Sequence, residues 1–232
     1  NFNRIPISNE TILPYDRSCI SIKIINHATK ISSNIARQIG VEKSSGNYIW
    51  QVDPDDMIVS SFVPNILERL KENKNVDIVE FGFYELVLND EGIIKRTIKV
   101  KRRNMNSSSN QFLVRRFLTR SVYWQLWQCV VKRSIYLKAI KVIKERVKKQ
   151  EKVIFATDFF HYIPITYYVN NYTCISGFGY YYFYMNKGSV SYSIWKGNTT
   201  TQESGRIVYD FMAELYNDTG IPIRKGFTKI YM

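Results

Sequence analysis

At 232 residues the chain is long enough to bury one substantial hydrophobic core. Its composition, 45% hydrophobic and 15% aromatic, excludes an intrinsically disordered protein, and no run approaches the roughly twenty apolar residues of a membrane span. The formal charge of +13 indicates an anionic partner, which could be nucleic acid, a membrane surface or a phosphorylated substrate.

The first part of the chain alternates between strand-like and helical patterns. A short helix is predicted around Thr11–Tyr15, and Ile20–Ile25 alternates apolar and polar side chains as a strand does. Ile31–Val41 has helical spacing of its isoleucines, and Tyr48–Val52 alternates again. The order strand, helix, strand predicts a parallel unit with a right-handed crossover.

Three carboxylates, Asp53, Asp55 and Asp56, follow directly after the strand that Tyr48–Val52 predicts. Open α/β sheets bind ligands outside the carboxyl ends of their strands. Because neighbouring carboxylates repel one another, the cluster predicts a hard divalent cation with oxygen ligands, Mn2+ or Mg2+. The alternative is ordinary turn chemistry, in which Asp55 or Asp56 only caps the helix that follows.

The rest of the chain predicts further helices and strands. The predicted helices are Phe62–Leu70, Phe112–Phe117, Ser134–Lys149, Phe159–Tyr168 and Ser204–Tyr216. The predicted strands are Val76–Leu88, Ile93–Val100, Trp124–Val131 and Thr173–Met185, of which the first two form a hairpin around the turn at Asn89–Gly92. Residues 102–110 are basic and then rich in Ser and Asn, which is typical of a mobile loop.

Several short stretches carry a resemblance to a known family. Ile35–Gly40 reads Ile-Ala-Arg-Gln-Ile-Gly, and Gly46–Ile49 leads into Asp-Pro-Asp-Asp at 53–56. Weaker stretches follow in order at Asn75–Val79, at Thr157–Phe159 and at Tyr180–Ser191. Together they resemble the family 2 glycosyltransferases of the GT-A fold over residues 8–192, with Gln38 in place of the family's Asn and Thr157 in place of its Glu.

The resemblance implies an α/β fold of the GT-A, Rossmann-like type, with a mixed, mainly parallel sheet flanked by helices and a C-terminal helical and aromatic part. Residues 1–110 are then expected to form a partial core for nucleotide-sugar and metal binding. Residues 111–232 are expected to supply the acceptor side and the C-terminal helical part of the same domain. The family's first strand–helix unit has no counterpart, unless Ser8–Thr11 is its remnant, so the chain is expected to lack that unit.

The resemblance also implies an activity, a metal-assisted inverting transfer of a sugar from a nucleotide-diphosphate sugar to an acceptor hydroxyl. Asp55 is implied to contact the metal, Asp53 the ribose or the metal, and Asp56 either to ligate or to cap. Asp158 is the candidate general base, a role that suits a carboxylate among aromatic residues. The alternative is that Asp158 and Thr157 form a helix N-cap. The donor is expected to be a UDP-sugar, and the acceptor a glycan, a lipid-linked molecule or a protein.

Four more residues are candidate substrate-binding residues, each with a structural alternative. Arg37 could reach a phosphate or could be a solvated helix residue. Trp124 and Trp127 could stack on a sugar ring or could pack in the core. His161 lies one turn after Asp158 and could assist at the site, although neither it nor His27 is expected to bind metal.

The excess of positive charge is partly local, because Lys138–Lys152 holds seven Lys or Arg residues against two Glu. This predicts a solvated helix face or a peripheral contact with anionic lipid, with no specific nucleic-acid contact. The widely spaced Cys19, Cys129 and Cys174 are typical of free thiols in a reducing compartment, which favours a cytoplasmic location. Two alternatives to the enzyme stay open: a basic module that binds nucleic acid or membrane, and a degenerate transferase fold that serves as a scaffold.

Overall fold

The computed structural model describes residues 21–109, 112–118, 123–184, 186, 187, 192 and 201–217. Its contacts divide the chain into two compact units, residues 1–30 and residues 31–232. In the first unit, residues 21–30 form neither helix nor strand, so the strand predicted over Ile20–Ile25 is wrong from residue 21 onward. Ile22 and Ile24 are exposed, so their alternation with polar residues does not reflect a buried sheet face. The helix predicted at Thr11–Tyr15 and the candidate remnant at Ser8–Thr11 lie outside the described residues.

The second unit contains seven strands and six α-helices within the described ranges. In chain order these are α1 (Ser33–Lys43), β1 (Tyr48–Trp50), β2 (Met57–Ile58), α2 (Val63–Glu72), β3 (Ile78–Leu88), β4 (Ile94–Val100), β5 (Met105–Ser107), α3 (Phe112–Leu118), β6 (Cys129–Lys132), α4 (Arg133–Arg146), α5 (Thr157–Tyr168), β7 (Tyr172–Tyr184) and α6 (Gln202–Asn217). Short 3-10 helices occupy Ser60–Phe62, Leu126–Gln128 and Gln150–Lys152. The helices and strands predicted after residue 30 are present with ends that differ by a few residues, except that the strand predicted over Trp124–Val131 begins only at Cys129, after a 3-10 helix at Leu126–Gln128.

The strands form one mixed sheet in the order β1-β6-β3-β7-β2. β4 pairs with the second half of β3, and β5 pairs with the start of β7. The α/β fold with a mixed sheet flanked by helices is confirmed, but parallel pairing does not dominate. Among the described strands only β3 and β7 run parallel, and the other five pairings are antiparallel.

Two local predictions about strand pairing are wrong. β1 was expected to belong to a parallel crossover unit, but it pairs antiparallel with β6, for example through Ile49 and Val131. The segment 102–110 was expected to be a loop throughout, but Met105–Ser107 forms β5 and pairs with Tyr172–Cys174 of β7. In both cases the partner strand lies far away in sequence, so local patterning does not determine the pairing.

β3 lies at the centre of the sheet and separates two hydrophobic cores. Ile78 faces the larger core, which is built by the helices α1, α3, α4, α5 and α6. Val79, Phe81 and Phe83 face a second core, which includes Phe62 and Ile66 from the α2 side. Because successive side chains of a strand point to opposite faces, a strand buried on both faces is apolar almost throughout, as β3 is.

Close packing of β7 against Phe62 fixes the segment that follows the acidic turn. Gly177 has a φ of 121°, and a Cβ built there would lie 2.2 Å from a ring carbon of Phe62. A Cβ at Gly179 would lie 2.6 Å from the ring of Phe81. The N–H of Val59 also donates to the carbonyl of Gly179 at 2.9 Å. Only glycine permits this approach, which holds residues 53–62 against β7.

The basic helix α4 has the predicted buried face, with Ile135, Ile140 and Ile143 in the larger core. Part of its positive charge is paired across the surface, since Lys144 contacts Glu42 and Arg146 contacts Glu214. Exposed ion pairs contribute little stability, but they reduce the free positive charge of this face. In the part of the chain that the structure describes, no helix combines the length and apolar character needed to cross a membrane.

Candidate functional site

The acidic turn follows β1 and is held against β7. The N–H of Asp56 donates to the carbonyl of Asp53 at 3.2 Å, which closes the turn. The N–H of Asp53 donates to the hydroxyl of Tyr180 at 3.0 Å. Directly after the turn, Met57 of β2 pairs with Tyr181. The turn therefore has a defined position at one end of the sheet, as the sequence predicted.

Arg37 of α1 connects this turn to the start of α5. Its guanidinium donates to Asp53 Oδ1 and to Thr157 Oγ1 at 2.7 Å, and it forms an ion pair with Asp158 Oδ1 at 2.9 Å. The helix that carries it begins at a Ser32 cap, whose side chain accepts from the N–H of Ile35 at 3.3 Å. We call Arg37, Asp53 and Asp158 the Arg37 cluster, which brings together three segments that are distant in sequence.

Asp158 lies in the first turn of α5 but does not cap it. The N-cap residue is Ala156, which has a φ of 55° and makes no side-chain cap hydrogen bond. Asp158 instead uses Oδ1 for Arg37, and its Oδ2 accepts from the N–H of Leu126 at 3.3 Å. The capping alternative is therefore not what the structure contains, and the carboxylate faces the acidic turn.

The charges of the Arg37 cluster are strongly coupled, because all three side chains are partly withdrawn from water. The side chains of Arg37, Asp53 and Asp158 are 12%, 28% and 18% exposed. Burial raises the pKa of Asp53 to about 6, the negative charge of Asp158 adds to this rise, and Arg37 opposes it. Burial alone would lower the pKa of Arg37, but the carboxylates of Asp158 and Asp53 raise it above its ordinary value. One cation thus compensates two carboxylates.

Asp56 is held differently from its neighbours. Its Oδ1 accepts from the N–H of Phe183 at 2.9 Å, whereas Oδ2 is buried and has no hydrogen-bond partner among the described residues. Burial raises the pKa of Asp56 to about 7, although the hydrogen bond from Phe183 opposes this shift. Asp55 is exposed, and its Oδ2 accepts from the side-chain amide of Asn186 at 3.1 Å. The next 3-10 helix begins at Val59, so neither Asp55 nor Asp56 caps it.

The three acids do not converge on one point. Asp53 faces Arg37, Asp56 faces the backbone of β7, and Asp55 faces outward. Within the described residues, no group of three His, Cys, Asp or Glu side chains is arranged to hold a metal ion. A cation at this turn would therefore have Asp55 as its most accessible protein ligand, and the metal stays a prediction.

The other candidate substrate-binding residues are not all at the surface of the site. Trp127 is buried and stacks on Tyr180 with ring centroids 4.7 Å apart. Trp124 is half-buried and packs edge-on against Phe159, next to Asp158. His161 is fully buried behind the Arg37 cluster, where Asn34 and Tyr136 are its hydrogen-bond partners. Of Trp124, Trp127 and His161, Trp124 is the residue with a partly exposed side chain.

Sequence analysis missed two residues that help to build the site. Tyr180 accepts from the backbone of Asp53 and supports the ring of Trp127. Tyr136 of α4 is fully buried and lies beside His161. Both tyrosines belong to patterns that predict core packing, so only their hydroxyl groups, placed by tertiary contacts, distinguish them from other core residues.

No protein-family model and no curated protein sequence matches this chain. Among solved structures, S. aureus TarS 1-349 in complex with UDP-GlcNAc matches with a TM-score of 0.52 at 12% identity, over 84% of this chain and 50% of that chain. TarS 1-349 and TarS 1-349 in complex with UDP give TM-scores of 0.48 and 0.44 at 12% and 13% identity, over 78% and 85% of this chain. These matches cover 45% and 54% of the two TarS chains.

The chain thus spans about half the length of the TarS structures it resembles. At 12% identity, the match to the UDP-GlcNAc complex shows the fold alone. That fold is glycosyltransferase-like, with a mixed sheet flanked by helices.

Proposed function

We propose that this chain belongs to an inverting glycosyltransferase that moves a sugar from a nucleotide-diphosphate sugar to an acceptor hydroxyl. The observation that carries the proposal is the Arg37 cluster. It joins the acidic turn after β1 to the first turn of α5 through one buried arginine, within a glycosyltransferase-like fold. These are the segments that resemble the two acidic motifs of family 2 enzymes.

The donor we propose is a UDP-sugar. TarS, a fold neighbour, was crystallised with UDP-GlcNAc, which supports a nucleotide sugar of this type. Arg37 is the cation between two carboxylates, and in this proposal its guanidinium exchanges one of them for a phosphate of the donor. The acceptor could be a glycan, a lipid-linked molecule or a protein, and peripheral contact with an anionic membrane stays a prediction.

In the reaction we propose, the chain's own residues act on the two ends of the displacement. As the bond between the sugar and the diphosphate breaks, negative charge builds on the phosphate, and Arg37 stabilises it. When Arg37 turns to the phosphate, Asp158 loses its ion-pair partner. Its free Oδ1 then accepts the proton of the attacking acceptor hydroxyl, as a general base does. Trp124 packs against Phe159, the residue after Asp158 in sequence, and in this proposal it contacts the acceptor sugar.

The divalent cation, Mn2+ or Mg2+, enters this proposal through Asp55. Its carboxylate is exposed and is bound to Asn186, so it is accessible to an ion whose other ligands are phosphate oxygens and water. A bound cation would supply Lewis-acid stabilisation of the diphosphate. The divergent directions of Asp53 and Asp56 do not support a site made of all three acids.

The test is UDP release from UDP-sugars in the presence of candidate acceptors, with the wild-type chain and the Asp158→Asn variant. We expect wild-type turnover and a loss of at least about 100-fold in kcat in the variant, because the amide cannot accept the proton. Circular dichroism should show that the variant stays folded. Turnover that is unchanged by Asp158→Asn would refute the assigned base, and no wild-type turnover with any donor would count against the enzyme itself.

The same assay tests the cation. Chelator should abolish turnover, added Mn2+ should restore it, and Asp55→Ala should raise the Mn2+ concentration needed for half-maximal rate. Asn186→Ala is a matched control, because it removes the partner of Asp55 but leaves the carboxylate. Turnover that is indifferent to chelator and to Asp55 would remove the metal from the proposal while leaving Asp158 in place.

A further inference from the structure

A set of mostly buried polar side chains lies directly behind the Arg37 cluster and joins four helical segments. It consists of Asn34 and Gln38 of α1, Tyr136 of α4, His161 of α5 and Gln150, and we call it the buried polar network. Asn34, Gln38, Tyr136 and His161 are buried or fully buried. Buried polar groups of this kind are costly unless each is hydrogen-bonded, so the pattern of these bonds is strongly constrained.

When the imidazole of His161 is neutral, the hydrogen bonds of the network have one consistent arrangement. The side-chain N–H of Asn34 donates to the backbone carbonyl of Gln150 at 2.7 Å, a group that can only accept. Asn34 Oδ1 must then accept, and it does so from Gln38 Nε2 at 3.1 Å and from His161 Nε2 at 2.8 Å. His161 therefore carries its proton on Nε2, and its Nδ1, 3.1 Å from the Tyr136 hydroxyl, accepts from it.

This arrangement requires a neutral imidazole. Burial, with a smaller contribution from the positive charge of nearby Arg37, lowers the pKa of His161 to about 3, so the ring stays neutral throughout the physiological range. The network has a single protonation state and ends at a backbone carbonyl that can only accept. It is therefore rigid, because no side chain can exchange its donor and acceptor roles without losing a hydrogen bond. The network has the properties of a fixed support.

The members of the network flank the reactive residues in sequence. Asn34 and Gln38 lie one turn apart on α1, on either side of Arg37, and their side chains share one face of the helix. His161 lies one turn after Asp158 on α5. The bond between His161 and Asn34 therefore ties the helix of the arginine to the helix of the carboxylate, beneath the ion pair that both helices present.

We propose that His161 and Tyr136 are positioning residues, which fix α1 against α5 so that the guanidinium of Arg37 is held between Asp53 and Asp158. They do not touch substrate, because both are fully buried. The part of this inference that concerns catalysis rests on the proposed function, whereas the locking of Arg37 does not depend on any activity. Variants that lose a hydrogen bond of the network should let the guanidinium of Arg37 move more freely while the chain stays folded.

The experiment observes the guanidinium of Arg37 directly by NMR of 15N-arginine-labelled full chain, with Arg37→Lys used to assign its signals. In the wild type, the bridge to two carboxylates should slow both rotation of the guanidinium and exchange of its protons with water. In Tyr136→Phe and in His161→Leu we expect both rates to rise by about fivefold to tenfold, the effect of one lost buried hydrogen bond. His161→Gln retains a side-chain N–H that can donate to Asn34 and should restore part of the slow behaviour.

The matched control is Tyr216→Phe. Tyr216 is also fully buried and also loses only a hydroxyl, which bonds to Thr166 Oγ1 at 2.5 Å and to the carbonyl of Ile163 at 3.0 Å. It lies outside the network, so the Arg37 rates should match those of the wild type. Equal loosening in Tyr136→Phe and Tyr216→Phe would overturn the proposal, because it would show a general softening.

The proposal would also be overturned if guanidinium rotation and proton exchange of Arg37 were unchanged in Tyr136→Phe and His161→Gln. These two variants decide the outcome if His161→Leu does not fold. Where turnover is measurable, Tyr136→Phe should lower kcat and leave the KM for the donor nearly unchanged, and Tyr216→Phe should alter neither. If the wild type has no transferase activity, the proposed function fails, but the NMR result still tests the locking of Arg37.

Discussion

Two regions of the molecule hold carboxylates away from water, and they do so in opposite ways. In the Arg37 cluster, a single guanidinium compensates Asp53 and Asp158, whose side chains stay partly exposed. In what we call the Glu80 pocket, a fully buried carboxylate accepts from the Tyr162 hydroxyl at 2.5 Å and the Tyr172 hydroxyl at 2.6 Å. In the first region a cation contacts the carboxylates directly, whereas in the second Glu80 is bonded by tyrosine hydroxyls, one of which accepts from Arg116 at 2.6 Å.

The difference indicates which carboxylates are available for chemistry. A ligand phosphate can compete for the guanidinium of Arg37, because the cation is shared by two carboxylates whose side chains are partly exposed. No ligand can reach Glu80, whose hydrogen bonds connect β3 to α5 and β7. The comparison therefore favours the first region for the ligand binding that we propose and the second for stability, and each expectation can be tested by one substitution.

The largest effect on stability is expected for Arg37→Ala. Removal of the guanidinium leaves Asp53 and Asp158 close together without a cation, and loss of one partner from a largely buried ion pair costs about 2–4 kcal/mol after allowance for partial exposure. Urea denaturation of the wild type and the variant measures this loss. Adding Asp158→Asn to Arg37→Ala should recover part of the lost free energy of unfolding. If the effects of the two substitutions were simply additive, the two residues would not be coupled.

A smaller loss is expected for Glu80→Gln. The amide keeps the shape but cannot accept from both tyrosine hydroxyls, so we expect the free energy of unfolding to fall by about 1–3 kcal/mol. Activity per folded molecule should stay at the wild-type level, which denaturation and turnover measured on the same sample will establish. A specific loss of kcat in a well-folded Glu80→Gln protein would contradict the division between the two regions.

The smallest effect concerns Asp56 and depends on pH. Its pKa rises from 3.8 to about 7 on folding, so the folded state binds the proton more tightly, and this contribution to stability is lost as pH rises from about 4 through about 7. Asp56→Asn keeps the acceptor for the N–H of Phe183 and removes the charge. At pH 8 we expect the variant to be more stable than the wild type by about 1–2 kcal/mol, with allowance for partial exposure. If Asp56→Asn and the wild type were equally stable at pH 4 and also equally stable at pH 8, this account would be disproved.

Much of the fold follows from local patterns in the sequence. The alternation at Tyr48–Val52 predicted β1 and the acidic turn after it, and the apolar run at Val76–Leu88 predicted the central strand. The helical spacing of Ser134–Lys149 gave α4 to within a few residues. These elements were predictable because each presents its own hydrophobic period to a core.

Pairing partners were not predictable in the same way. The alternation at Ile20–Ile25 resembles that of β1, but its described residues have no strand partner, whereas Met105–Ser107 has little alternation and pairs with β7. The direction of β1 is set by its neighbour β6. Strand identity depends on a partner that a local window of sequence does not contain.

The candidate site also combines residues that the sequence predicts with contacts that it does not predict. The sequence predicted Arg37, Asp53 and Asp158 as separate candidates, but the contacts that join Arg37 to Thr157 and Asp158 span about 120 residues of chain. Trp127 and His161 have the residue types of a binding site, yet they are buried. Residue type and spacing can propose such a side chain, but exposure follows only from the packed structure.

The measurement that tests the central claim most directly is calorimetric titration of UDP and UDP-GlcNAc into the wild type and Arg37→Lys, with Arg116→Lys as a control at another partly buried arginine. Lysine keeps the charge but cannot bridge several oxygens at once. We expect saturable wild-type binding, a Kd about tenfold higher in Arg37→Lys, and no change in the control. No binding to the wild type, or equal affinities for the wild type and Arg37→Lys, would contradict a nucleotide-sugar site at the Arg37 cluster.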